Sequence, residues 1–162
     1  MTRFFASLRM TPVILRNEVT KDLNFRIMKN GKIENRPTAR MLLGKRGEDV
    51  ACRFLERLGH RIIARNYRSG HLEIDIVSTD GNSVHFVEVK SRMAPVAVPP
   101  EENVTTRKQD KLAKAALKFL HGPLGHSMYG NAEVFFDIVA VVFDKEDVNV
   151  EWFPNAFVPM YV

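Results

Sequence analysis

Residues 71–90 constrain the fold more than any other segment. Leu72, Ile74 and Ile76 alternate with Glu73, Asp75 and Val77, the period-two pattern of a strand with one face in a core. Asp80-Gly81-Asn82-Ser83 follows, a hairpin signature with Gly81-Asn82 as a two-residue loop. The return strand, 83–90, carries Val84, Phe86, Glu88 and Lys90 on one face and His85, Val87 and Val89 on the other. It is apolar on both faces and so reads as a central, buried strand. A two-residue loop also sets the register. Asp80 pairs with Ser83, which puts Asp75 opposite Glu88 and Glu73 opposite Lys90. Four charged side chains then meet on one sheet face, an arrangement that a one-residue slip would undo.

The flanking segments supply the rest of an α/β fold. Leu43, Gly47, Val50, Ala51, Phe54, Leu55 and Leu58 recur at helical spacing and predict a helix over 42–58, with Gly59 as its stop. Residues 61–68 predict a first strand. Residues 91–103, with Pro95, Pro99 and Pro100, read as a loop. A second helix is expected over 106–121. Its packing face is Leu112, Ala113, Ala116, Leu117 and Leu120, with Gln109 on the same side, and Arg107, Lys111, Lys114 and Lys118 form one basic stripe. A glycine-rich loop through Gly122, Gly125 and Gly130 leads to strands over 133–143 and 148–153. The order is helix, three strands, helix, two strands: a mixed central sheet flanked by helices.

Charge is unevenly placed along the 162 residues, whose net charge is +5. Residues 1–40 hold nine basic and three acidic side chains, and residues 41–162 hold 15 basic and 16 acidic ones. The positive excess therefore belongs to the first quarter of the chain, which keeps neither a helical nor a strand period. We expect a basic, disordered arm over 1–40 and one domain over 41–162. Three arginines and no acid before Glu18 also resemble a transit peptide, and a leader translated from upstream of a start at Met28 or Met41 is the alternative. Cys52 is the only cysteine, which excludes an internal disulfide and fits a reducing, cytoplasmic setting. No apolar run is long enough for a membrane span. The five histidines lack zinc-ligand spacing, and no phosphate-loop or nucleophilic-serine motif occurs, so no small-molecule cofactor is expected.

The chemistry is concentrated at Asp75, Glu88 and Lys90. Two opposed carboxylates repel, and one pKa rises unless a cation lies between them. Mg²⁺ would relieve that repulsion, because it is commonly held by one or two carboxylates plus substrate phosphate. Lys90 adds a fixed positive charge suited to orienting water or offsetting charge in a phosphoryl transition state. On a surface strand such a Glu-x-Lys would be an ordinary ion pair. On a buried strand, unpaired charge is costly and marks a functional site.

Asp75 followed by Glu88-Val89-Lys90 across a short hairpin resembles the core motif of the restriction-endonuclease-like, PD-(D/E)XK nuclease superfamily. The wider pattern adds Gly44, Gly47-Glu48 and Ala51; Arg65-Asn66-Tyr67-Arg68; Glu73-Ile74-Asp75-Ile76-Val77; Phe86 through Arg92; Lys108-Gln109; and Phe136-Asp137-Ile138-Val139-Ala140. Over 41–157 this resembles the YraN-like bacterial proteins, predicted endonucleases related in fold to archaeal Holliday-junction resolvases.

The resemblance implies a restriction-endonuclease-like core and an endonuclease dependent on Mg²⁺ or Mn²⁺. Its substrate would be DNA, branched or otherwise structured. It implies Asp75 and Glu88 as metal ligands, joined by the Val89 carbonyl. Lys90 would position the nucleophile. Glu48 would be a third acid on the metal or its water; the plain alternative is favourable placement near a helix N-terminus. Gln109 would reach the site or the phosphate, or else be a polar boundary residue. Arg65, Arg68, Arg107, Lys111, Lys114 and Lys118 would hold phosphates. Resolvases act as dimers, so a homodimer is expected by analogy. Asp137 matches a family aspartate to which we assign no role. Two positions depart from the pattern: Leu72 stands where glycine is usual, and Phe136 where arginine is usual, which would leave Asp137 without a partner. The competing functional expectation is a non-catalytic nucleic-acid-binding module that keeps the fold.

Overall fold

The structure, a computed structural model, describes residues 13–16, 37–96, 105–129, 132–145 and 147–159. Most of the expected arm, the centre of the proline-bearing loop and Gly130 lie outside these residues. Within the arm, Val13–Arg16 forms strand β1. Helix α1 (Ala39–Arg57) is followed by β2 (Arg61–Ser69), β3 (Leu72–Thr79) and β4 (Ser83–Met93). Helices α2 (Thr106–Leu120) and α3 (Pro123–Tyr129) precede β5 (Glu133–Phe143) and β6 (Asp147–Phe153).

The sheet order is β1-β6-β5-β4-β3-β2. β4 and β5 are parallel and every other pair is antiparallel, so five strands form a mixed sheet to which β1 adds an edge. β4 is central, as its two apolar faces require. On one side Val50, Phe54 and Leu55 of α1 pack with Ile76, Val87, Val139 and Val141. On the other, Leu112, Ala115, Ala116 and Phe119 of α2 pack with Val77, Val84 and Phe86.

The hairpin has the expected register, with Thr79 opposite Val84 and Ile76 opposite Val87. Local chemistry explains it. Asp80 Oδ1 accepts the Ser83 and Asn82 amides at 2.9 and 3.2 Å. Gly81 has φ +106°, which a side chain would strain.

Four boundaries differ from the sequence reading. α1 begins at Ala39, not 42, because Thr38 caps it, accepting the Met41 amide at 3.3 Å. The apolar period starts later only because Met41 and Leu42 are exposed. β4 runs on to Met93, held by pairing of Ser91, Arg92 and Met93 with Val141, Val142 and Phe143 of β5. The glycine-rich stretch holds a short helix, α3. Pro123 suits its first position, and Gly125 lies so close to the Phe119 and Leu120 backbone that a Cβ there would meet it at 2.2–2.8 Å.

The fourth difference positions the site. Leu72, Ile74 and Ile76 were expected on one face. Ile76 packs with the α1 cluster, whereas Leu72 and Ile74 pack with the α2 cluster. The same change occurs in β2, where Arg65 reaches Asp49 of α1 and Tyr67 packs edge-on against Phe119 of α2, ring centroids 5.2 Å apart. Arg65 is opposite Ile76 and Tyr67 opposite Ile74, so both strands turn over between these pairs, at Asn66 and Asp75. Asn66 takes φ +49°, a left-handed conformation that asparagine tolerates better than most residues.

Gly47 pins α1 to the end of β4. A Cβ at Gly47 would lie 1.6 Å from Ser91 Oγ and 2.8 Å from Ser91 Cβ. Gly47→Ala should therefore cost about 2 kcal/mol in denaturant unfolding, and Ser91→Gly in the same chain should recover most of it. A Gly47→Ala protein as stable as the parent would show that the helix can shift freely.

Candidate active site

The β3/β4 ladder ends at Ile76/Val87, and the next positions along it are Asp75 and Glu88. Backbone pairing gives way there to side-chain bonding: Asp75 Oδ2 accepts the Val89 amide at 2.8 Å. Glu88 is 4% exposed. Lys90 Nζ donates to Glu88 Oε1 at 3.0 Å. Lys108 Nζ, from the first turn of α2, faces Glu88 Oε2 at 3.0 Å. Oε2 is buried, and Lys108 is its ion-pair partner.

Electrostatics follow from this placement. Burial first, and the facing Glu88 charge second, push the Asp75 carboxyl up to about 7, although the Val89 amide and Lys108 oppose the rise. Burial pulls the Lys108 ammonium down, but Glu88 outweighs it and leaves the pKa above the ordinary lysine value. A raised carboxyl stabilises the metal-free fold fully below its unfolded pKa of 3.8, and this contribution is lost as pH rises through about 7. Melting temperature of the metal-free protein should therefore fall more steeply between pH 5 and 8 than that of Asp75→Asn. At pH 8 the variant should be the more stable by about 2 kcal/mol, allowing for the partial exposure of the carboxyl. Equal pH slopes would contradict this reading.

The remaining predicted residues fall in different places. Glu73 does not meet Lys90; it bonds Arg68 of β2 at 2.9 Å, because the strands turn over at Asp75. Arg65 pairs with Asp49. Of the three arginines expected to hold phosphate, the two on β2 thus have carboxylate partners. Glu48 lies midway along α1, since the helix begins at Ala39, so placement at a helix N-terminus does not explain it. Its Oε2 accepts from Asn66 Nδ2 at 2.8 Å, and its charge acts on Asp75. Gln109 is half-buried, one residue beyond Lys108. Arg107, Lys111, Lys114 and Lys118 are all exposed on α2. Among the described residues, no three His, Cys, Asp or Glu side chains converge as a metal-holding group.

Residues 47–141 match the model of Uncharacterised protein family UPF0102. The chain belongs to the UPF0102 family. A UPF0102 protein of Geobacter metallireducens is 39% identical over 115 residues, covering 71% of this chain and 91% of the relative. One from Chloroherpeton thalassium is 42% identical over 106 residues, 65% of this chain and 79% of its own. One from Pelotomaculum thermopropionicum is 38% identical over 123 residues, 74% and 98% respectively. The UPF0102 match runs from Gly47 to Val141 and so contains Glu48, Asp75, Glu88, Lys90, Lys108 and Gln109.

Two features of this UPF0102 chain escaped the sequence reading. Lys108 was quoted only as part of a motif, yet it sits one turn before Leu112 on the apolar face of α2, a position that singles out a lysine from the exposed stripe. Asn66 ties the strand break to Glu48. A third point corrects the expectation for Asp137, which is fully buried and well partnered. Its carboxylate accepts from Trp152 Nε1 at 3.1 Å and the Asn155 amide at 2.8 Å, and lies 2.7 Å from His85 Nδ1. Phe136 stacks on Phe86 with ring centroids 5.7 Å apart. No helix among the described residues is long and apolar enough to cross a membrane.

Proposed function

We propose that this UPF0102 protein is a metal-dependent endonuclease of the PD-(D/E)XK type, with a restriction-endonuclease-like core, acting on DNA that is branched or otherwise structured. The observation that carries the reading is the meeting of Asp75 with Glu88 and Lys90 where the β3/β4 ladder ends, with one carboxyl pushed up to about 7 and the other buried.

The donor set suits a hard divalent cation, Mg²⁺ or Mn²⁺. Asp75 and Glu88 offer carboxylate oxygens, with Glu88 Oε2 buried and facing Lys108. Asp75, Glu88 and the Val89 carbonyl would hold the ion, with Glu48 reaching it through water. When bound, the cation would supply Lewis-acid polarisation of the phosphate and a more acidic water. Lys90 keeps a positive charge beside Glu88, where it would orient the attacking water and offset charge gathering on the phosphoryl oxygens. Gln109 would contact the phosphate. Arg107, Lys111, Lys114 and Lys118 would engage the backbone of the duplex along α2, giving affinity without sequence readout. A homodimer would present two such sites to two strands.

The second reading is a nucleic-acid-binding module without catalysis. The neutralisation of Glu88 by two lysines, with no third acid converging among the described residues, favours it. The two readings part in a cleavage panel of branched, flapped, single-stranded and linear DNA with Mg²⁺ or Mn²⁺. We expect metal-dependent nicking of at least one structured substrate, lost in chelator. Binding to DNA without cleavage under any of these conditions would leave the module.

A further inference from the structure

We infer that Lys108 is a built-in counter-ion that holds Glu88 in the metal-free protein and that a divalent cation must displace from Oε2 to bind. The inference rests on the metal-site reading above and adds a residue to which neither the motif nor the family comparison gives a role.

Three observations carry it. First, Lys108 is the odd basic residue of α2. Arg107, Lys111, Lys114 and Lys118 are exposed, whereas Lys108 lies on the packing face one turn before Leu112, with a side chain 37% exposed. A lysine rarely takes such a position without a partner. Second, its ammonium faces Glu88 Oε2 at 3.0 Å, while Lys90 takes Oε1 at 3.0 Å. Both oxygens of a 4%-exposed carboxylate are thus neutralised from within the chain. Third, Lys108 is the more exposed of the two partners, its side chain 37% exposed against 16% for Lys90. A solvent-facing ammonium on a flexible stem is the more readily exchanged of the two.

A cation approaching Glu88 and Asp75 competes with the Lys108 ammonium for the same oxygen. The ammonium then offsets the repulsion of two facing carboxylates when no metal is bound, at a cost in metal affinity. Once displaced, the ammonium stays tethered next to the site, free to meet a phosphate oxygen. Metal binding and phosphate binding would then be coupled through one side chain, so each should strengthen the other.

The test is calorimetric titration of Mn²⁺ into the full-length wild type, Lys108→Met and Lys108→Arg, with thermal unfolding of each protein in chelator and at saturating Mn²⁺. We expect Lys108→Met to bind Mn²⁺ at least five-fold more tightly than wild type, and to melt lower in chelator but not at saturating Mn²⁺. Lys108→Arg, which keeps the charge, should stay within two-fold of wild type in affinity. If Lys108→Met does not fold without metal, Lys108→Gln takes its place. Wild type that binds Mn²⁺ together with neutral variants that bind it equally or more weakly would overturn the counter-ion role and leave the metal site standing. Wild type that binds no Mn²⁺ would overturn the metal-site reading, and this inference with it.

Discussion

Glu88→Ala should abolish metal-dependent cleavage, a loss of at least about 10³-fold, while DNA binding along α2 changes little. Glu88 is the residue on which the site converges. Lys90 and Lys108 both turn to it, and its charge helps raise the Asp75 carboxyl. Removing it takes away a metal ligand and leaves two ammonium groups without their partner. Some stability is lost as well, since breaking a buried pair costs about 3 kcal/mol. Glu88→Gln, which keeps shape and one acceptor oxygen, separates the two effects: cleavage should still vanish while the melting temperature stays closer to wild type. Lys90→Ala should match Glu88→Ala in cleavage. Binding should persist in all three, because Arg107, Lys111, Lys114 and Lys118 are exposed on α2 and keep their charge. Cleavage that survives both Glu88→Ala and Lys90→Ala would remove Asp75, Glu88 and Lys90 from the chemistry.

The largest loss of stability should come from Asp137→Ala. This carboxylate has no exposed surface and ties three strands and a turn together: His85 of β4, Trp152 of β6 and the Asn155 amide all address it from their own elements. The truncation takes the acceptor from a part-buried indole N–H and a backbone N–H, for a cost of about 3 kcal/mol. Urea unfolding measures it directly. Asp137→Asn, which keeps the volume and one oxygen acceptor, should lose less than half as much. A change below about 1 kcal/mol in Asp137→Ala would mean that water satisfies these donors instead. Phe136 next to it stacks on Phe86 and leaves Asp137 its own partners.

Much of the positioning was legible because it is local. Asp80, Gly81 and Asn82 dictate a tight turn, the turn dictates the register, and the register brings Asp75 level with Glu88. The spacing of α2 was legible for the same reason: packing and solvent faces follow from 3.6 residues per turn. What was missed depends on tertiary context. The period-two rule assumes a regular strand, so Glu73 was placed by Lys90 when the break at Asp75 sends it to Arg68. Nothing in Arg65-Asn66-Tyr67 announces a left-handed asparagine, since asparagine is as common in ordinary turns. Glu48 was judged against a helix that starts at 42, and a threonine cap three residues upstream of the exposed Met41 moved that start. The partnership of Lys108 with Glu88 exists only because α2 lies across the sheet face that holds Glu88.

The central claim is that Asp75 and Glu88 together make a divalent-cation site. Titrating Mn²⁺ into metal-free wild type and Asp75→Asn at pH 8, where the Asp75 carboxyl is ionised, tests it most directly. Wild type should give saturable metal-dependent heat that is lost in Asp75→Asn, with both proteins folded by circular dichroism. No metal-dependent heat in wild type, or heat unchanged in Asp75→Asn, would contradict it.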